Sequence, residues 1–415
     1  MIVQTRAARG QFFLARSHLG PALATLGACT YIASFALPFE FSWDIRLIAL
    51  AVLSGVATLF NFRISPASSS PLVFPMLAFL FSTAASILLS QNFDLSLRLS
   101  ASLIPAVLIF FLVAEHFDGI RHTRLLYTTF SAVNLGIATV LLWAAWTNGG
   151  VDPDAPRRWV AYVGSPILVE RNDITFLAVT APLSLVLLWR ESRSAVGILA
   201  ALSLLLSLAV VAIFQSRVAL VTMVTSITCA VTILRPRLAL ACGLGSVILA
   251  LLVDAACGFP LAAKFVQHWE GNGRIPLWLA AWAMFLDAPI WGHGPHTFVL
   301  SYTSYLQHLT LPAWITTDSI VKPWAHNLYL EVLAEQGIVG LAALGYLLIS
   351  GLTQGWKLRY KVSNDARVYG GAALCGLIGL CVAGTVELSF LRHWVVIMLF
   401  VFLGIIAQLG QSNEN

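Results

Sequence analysis

Twelve apolar runs, each close to the length needed to cross a bilayer, take up most of this chain. They lie near 18–37, 45–62, 71–90, 97–115, 124–146, 173–189, 194–214, 218–234, 238–256, 326–351, 368–387 and 393–410. A helix needs about 20 mainly apolar residues to span the hydrocarbon core, and in lipid such a run satisfies its own backbone by being helical. The expected fold is therefore an all-α polytopic membrane protein with about 12 transmembrane helices, residues 1–415 forming a single transmembrane domain. Charge agrees. Only 10% of the residues are Asp, Glu, Lys or Arg, against about 25% in soluble domains. Arg6, Arg9 and Arg16 precede a first run of full spanning length, the pattern of an anchor rather than a cleaved signal peptide. The six cysteines form no CxxC pair, which speaks against a disulfide framework or a zinc ribbon.

An even number of spans puts both ends on one side, and the positive-inside rule makes that side cytoplasmic. Arg63, Arg121, Arg124, Arg190, Arg193, Arg235, Arg237, Lys357, Arg359, Lys361 and Arg367 then join the N-terminal arginines inside, fourteen of the 24 basic residues. The other ten fall outside, most of them in or beside the loops 147–172 and 257–325. An anionic partner on the outer face would account for that excess. The second loop is large and carries five of the nine histidines and six of the thirteen tryptophans, counting His326 at its end. Within it, Arg274 to Asp287 reads as a short helix, apolar on most faces, lying at the interface or on the bundle. Trp278 and Trp282, four apart, would share one face. Pro289, Gly292, Gly294 and Pro295 then break the chain.

The stretch KPWAHNLYLEVLAEQGIVGLAALGYLL, from Lys322 to Leu348, concentrates the candidate chemistry. A lone histidine at a span end is commonly an interfacial cap, but His326 precedes Asn327, a good helix N-cap that would turn the histidine toward the outer mouth. Histidine also exchanges protons near neutral pH. Glu331 and Glu335 are four apart on one helical face, and intramembrane carboxylates usually face a cavity or a partner. In FQSRVAL, Arg217 follows Gln215 and Ser216 at a tight outer turn. It is either a snorkelling arginine or an anion clamp, since a guanidinium fork matches phosphate oxygens. Arg274 after GNG and Arg171 in VERND are further clamp candidates, although Glu170 and Asp173 could simply pair with Arg171. Lys322 and Trp324 flank the histidine. The HGPH stretch lacks a helical two-histidine spacing, its glycine and proline forbid regular helix, and no carboxylate lies at a ligand-like spacing, so a metal site is not expected.

These blocks resemble the O-antigen ligase and polymerase superfamily of bacterial membrane glycosyltransferases. HNLYLEVLAEQGIVG, with its histidine, asparagine and Gly-x-x-Gly, is similar to that family's signature. QSR at the head of a span, and RIPLW followed by DAPIWGHGPHTF, look like its other recurring blocks, so the likeness covers about Phe214 to Leu352. The resemblance implies a GT-C-like fold with a large periplasmic loop at 257–325 containing short helices and part of the active site. It implies an inverting, metal-independent transfer of a glycan from undecaprenyl pyrophosphate to the lipid A core, at the periplasmic face of the bacterial inner membrane. Arg217, Arg274 and His326 carry over as the catalytic set, with Arg171, Gln215, Ser216, Lys322, Trp324 and Asn327 as substrate-binding candidates. No cofactor and no nucleic acid is implied; the partners are the lipid-linked donor, the lipid A core and membrane lipids.

Two alternatives stay open within the superfamily, a polysaccharide polymerase and a protein O-glycosyltransferase. A third belongs to another class: a transporter whose outer arginines bind an anionic lipid-linked glycan without chemistry. A transporter should show paired broken helices in two related halves, and the sequence has no such repeat. The topology can be tested directly. A reporter active only in the periplasm should work when fused near Gln307 and fail when fused near Lys361; the reverse pattern would overturn the orientation.

Overall fold

A computed structural model describes residues 19–36, 43–60, 70–117, 119–147, 174–214, 216–234, 273–311, 324–360 and 363–411, with residues 244, 245, 248, 251, 252, 255 and 322. Among them all regular structure is helical. The helices are α1 (Leu19–Ala33), α2 (Trp43–Phe60), α3 (Val73–Leu88), α4 (Phe93–Ser100), α5 (Leu103–His116), α6 (Gly119–Thr147) and α7 (Ile174–Glu191). They continue as α8 (Ala195–Ile213), α9 (Arg217–Leu234), α10 (Ile275–Asp287), α11 (Phe298–Gln307), α12 (Leu328–Lys357), α13 (Asn364–Gly384) and α14 (His393–Gln411).

Eight helical segments among the described residues are long and apolar enough to cross a membrane, fewer than the twelve expected. The runs near 18–37, 45–62 and 71–90 appear as shorter apolar helices, Leu19–Ala33, Ile48–Thr58 within α2, and Val73–Leu88. The run at 238–256 lies largely outside the described residues. Local chemistry explains the short α3. It stops at Leu88 because Asn92 caps the next helix, its side chain accepting the Leu95 N–H at 3.1 Å.

α14 is apolar and buried almost all round, as a helix at the centre of a bundle should be. It packs on α5 and α13, while α7 is enclosed by α6, α8, α9 and α13. Small polar side chains join the helices where water is absent. Asn134 Nδ2 donates to Thr180 Oγ1 at 2.9 Å, Ser131 and Ser184 hydroxyls meet at 2.8 Å, and Tyr127 donates to the Tyr369 carbonyl at 2.6 Å. α8 turns Ile198, Leu202 and Leu205 outward, a surface suited to lipid. Ion pairs collect at one pole, Arg124 with Glu191 at 2.9 Å and Arg190 with Asp365. α12 runs away from the other pole, where His326 sits.

The expected helix at Arg274 to Asp287 is α10, and it packs on the first turns of α12. With α11 it forms a second small core of Leu277, Ala280, Ala281, Met284, Phe298, Tyr302, Ala325 and Ala334. Trp278 and Trp282 fare differently. Trp278 is half-buried and donates its indole N–H to the Ala325 carbonyl at 3.1 Å, whereas Trp282 is 47% exposed beside Phe285.

The loop after α10 is locked into α12 through main chain. Inside α12, Gly337 has a left-handed φ of 65° and the helix kinks there. An unbroken helix would bond the N–H groups of residues 338 and 339 to the carbonyls of 334 and 335. Instead Ile338 N–H donates to the Pro289 carbonyl at 2.9 Å, and Val339 N–H to that of Ile290 at 3.4 Å. The vacated carbonyls of Ala334 and Glu335 accept from His293 N–H at 3.3 Å and Gly294 N–H at 2.8 Å. Every displaced bond is therefore replaced. The Ser86 hydroxyl on α3 also donates to the Trp291 and Glu335 carbonyls, at 2.9 and 3.1 Å.

This close approach requires glycine on both sides. A Cβ on Gly292 would overlap the Glu335 carbonyl, and one on Gly337 would overlap the Ile290 carbonyl; both residues also have φ near +65°. A left-handed φ alone costs an L-residue roughly 1–2 kcal/mol. Gly292→Ala and Gly337→Ala should each clearly lower the thermal midpoint of detergent-purified protein. Gly345→Ala, a helical position with nothing within 4 Å of the added carbon, should match or exceed wild type. Equal midpoints for all three would refute the junction.

Candidate functional site

Asn327 caps α12 as its residue type suggests, its Oδ1 accepting from Tyr329 N–H at 3.0 Å and Leu330 N–H at 3.1 Å. The residue before it, His326, is held at φ 54°, a conformation that non-glycine residues rarely adopt. Such strain persists where the surroundings over-determine it, and here they do. The Ala325 N–H donates to Glu331 Oε2 at 3.2 Å, and the Ala325 carbonyl accepts from Trp278. On the ring itself, Trp324 Nε1–H donates to His326 Nδ1 at 3.2 Å.

The charges around His326 come from three parts of the chain: Arg274 at the start of α10, Arg392 just before α14, and Lys322. Burial first, then those three cations, hold the His326 pKa down at about 3. The ring is therefore neutral at physiological pH. Because Nδ1 accepts the indole N–H, that neutral ring carries its proton on Nε2. Lys322 is fixed by its backbone, whose N–H donates to the Tyr302 hydroxyl on α11 at 2.7 Å. Trp324 is buried, and the Arg392 guanidinium carbon lies 4.6 Å from its ring centre.

The structure thus brings together Arg274, Lys322, Trp324, His326 and Asn327 of the residues singled out in the sequence. Arg217 is the first residue of α9. Ser216 is buried at that helix end, its hydroxyl accepting the Ala219 N–H at 3.4 Å. Arg171 and Gln215 lie outside the described residues. Arg392 was missed in the sequence, where it was one cation among many at helix mouths.

The two carboxylates of α12 prove to be anchors for main chain. Glu335 Oε1 accepts from Phe298 N–H at 2.9 Å and Oε2 from His296 N–H at 2.7 Å, so it also neutralises the N-terminus of α11. Glu331 joins the Ala325 N–H to the Ser389 hydroxyl in the turn between α13 and α14. Between the two lies a cavity of about 20 Å³, lined in part by Thr83, Ser100, His296 and Gln336, room for about one water. The loop histidines are likewise placed by packing. His293 is buried with Nδ1 2.7 Å from Gln91 Nε2 and Nε2 3.0 Å from the Met284 carbonyl. Burial and the neighbouring His393 push His296 down to about 4. Among the described residues no group of three or more His, Cys, Asp or Glu could hold a metal ion.

Residues 171–345 match the family model described as O-Antigen ligase, which supports an O-antigen ligase family assignment. No curated protein matches the chain.

The anchoring roles separate the two glutamates experimentally. Glu331 faces one N–H and one hydroxyl, and the hydroxyl can turn from donor to acceptor, so Glu331→Gln keeps both bonds. Glu335 faces two N–H donors, so Glu335→Gln leaves one of them against an amide NH₂. A buried donor without an acceptor costs about 1–3 kcal/mol. Glu335→Gln should therefore lower the thermal midpoint markedly more than Glu331→Gln. A larger loss for Glu331→Gln would show that the carboxylates do something other than hold backbone.

Proposed function

With an O-antigen ligase family assignment as the premise, we infer that the protein is an inverting glycosyltransferase joining a glycan from undecaprenyl pyrophosphate to the lipid A core. It does so at the periplasmic face of the inner membrane. The observation that supports this most is the convergence of Arg274 and Lys322 on a half-buried, neutral His326 at the pole opposite the Arg190–Asp365 ion pair. By the positive-inside rule the site, opposite that pole, faces outward.

The chemistry follows from charge. The oxygen of the acceptor hydroxyl bonds to the anomeric carbon while the bond from that carbon to the pyrophosphate oxygen breaks. The bonding pair leaves with the pyrophosphate, which gains one unit of negative charge. Donors fixed where charge develops stabilise the transition state most, because they need no reorganisation. Arg274 and Arg217 are assigned this task, Arg274 from the start of α10 and Arg217 from the start of α9. A guanidinium meets two phosphate oxygens at once. Arg171 and Gln215 are assigned to the donor as well, with Ser216, whose hydroxyl accepts the Ala219 N–H at the start of α9.

His326 is assigned the acceptor's proton. As placed, the ring offers an Nε2–H to a phosphate oxygen; to act as a base through Nε2 it must carry its proton on Nδ1 instead. That requires the Trp324 indole to release Nδ1. The same cations that depress His326 are offset once a pyrophosphate neutralises them, so the ring gains basicity when donor is bound.

Loss of the gene should leave long glycan on undecaprenyl pyrophosphate and bare lipid A core. A core bearing one repeat unit would instead mark a polymerase, and donor trapped on the cytoplasmic side a transporter. In complementation, Arg217→Ala and Arg274→Ala should each abolish or severely reduce transfer, with lysine only a partial rescue because an ammonium lacks the two-pronged fork. Full activity of the alanine variants would make them ordinary helix-end arginines.

A further inference from the structure

The turn between α13 and α14 lies beyond the matched family domain, which ends at residue 345, yet it delivers an arginine to the site. We propose that Arg392 is a further ligand of the lipid-linked pyrophosphate, held in place by the Trp324 indole and by the bond from Ser389 to Glu331. This rests on the reading of the site as a pyrophosphate site and adds a cation to it.

Three observations converge. First, the Arg392 guanidinium carbon sits 4.6 Å from the Trp324 ring centre, and the same indole donates its N–H to His326. One aromatic ring therefore sets the spacing between the arginine and the histidine. A guanidinium against an aromatic face is held by its flat surface, and its edge is the side that meets oxyanions. Second, Arg392 comes from a different element than Arg274 and Lys322, and all three charges act on His326. A pyrophosphate diester carries a negative charge on each phosphate and gains another as the sugar leaves, so it matches such a cluster.

Third, the turn is built to a fixed geometry. Arg392 N–H donates to the Ser389 carbonyl at 3.2 Å, and the Ser389 hydroxyl both accepts the Leu391 N–H at 3.0 Å and donates to Glu331. Glu331 in turn accepts the N–H of Ala325, the residue before His326. The backbone carrying the arginine and the backbone carrying the histidine are thus tied to a single carboxylate. Glu331 is in this sense a positioning residue.

The experiment is binding of undecaprenyl pyrophosphate, with undecaprenyl monophosphate as comparison, to purified full-length protein in detergent. Arg392→Gln keeps a flat polar group on the indole without the charge; Arg392→Lys keeps the charge without the fork. Hydrogen bonds to charged groups are worth enough that the glutamine variant should lose roughly 10–100-fold in pyrophosphate affinity. It should lose less for the monophosphate, which offers fewer oxygens, and lysine should recover part of the loss. Unchanged pyrophosphate affinity in Arg392→Gln would overturn the assignment, as would equal losses for both lipids. If Arg392→Gln lowers the thermal midpoint, the comparison is made with Arg392→Lys, where equal loss for both lipids likewise overturns it. Wild-type protein that binds neither lipid would instead sink the pyrophosphate reading itself.

Discussion

Two displaced rungs in the hydrogen-bond ladder of α12 hold the candidate site together. At Gly337 the helix gives up its own bonds between residues 338–339 and 334–335 and takes the loop at 289–294 as partner for all four groups. A buried backbone group left unsatisfied is costly, so this exchange is stable only while the loop stays seated. That seat fixes where α11 begins, because the Glu335 side chain then meets the N–H groups of His296 and Phe298. The start of α11 in turn sets the Tyr302 hydroxyl that receives the Lys322 N–H. A cation of the site is placed, three contacts away, by a glycine inside a helix.

Charge is divided within this frame by what each sign is asked to do. The carboxylates of Glu331 and Glu335 are buried and spent on backbone N–H groups and a hydroxyl. The cations of Arg274, Lys322 and Arg392 gather instead around the neutral ring of His326. In the proposed site an incoming anion meets these cations. Arginine in that role serves better than lysine where two oxygens must be gripped together.

The sequence revealed these parts unevenly, for physical reasons. Run length and low charge were enough for α5 to α9 and α12 to α14, and the apolar stretch after Arg274 was enough for α10. The Asn327 cap was legible because its partners are two and three residues away. Glu335 was opaque because the groups it serves, His296 and Phe298, are 39 and 37 residues distant. Glu331 reaches 58 residues to Ser389. Arg392 was hidden for the same cause: nothing local distinguishes a cation stacked on a remote tryptophan from one reaching for headgroups. For Trp278 and Trp282 the spacing gives a shared face but not which end of that face the neighbouring element covers.

The length of α12 carries one more consequence. Its 30 residues extend about 45 Å at 1.5 Å per residue, while a hydrocarbon core is about 30 Å thick. The excess of about 15 Å corresponds to roughly ten residues, and the stretch from Leu328 to the kink at Gly337 is of that length. The part beyond the kink, from Ile338 onward, can fill the bilayer by itself. Glu331 and Glu335 then stand above the acyl chains, in a layer where α3, α10 and α11 rather than lipid are the solvent. A window of hydropathy merges two media into one span; the glycine marks where the chain passes from one to the other.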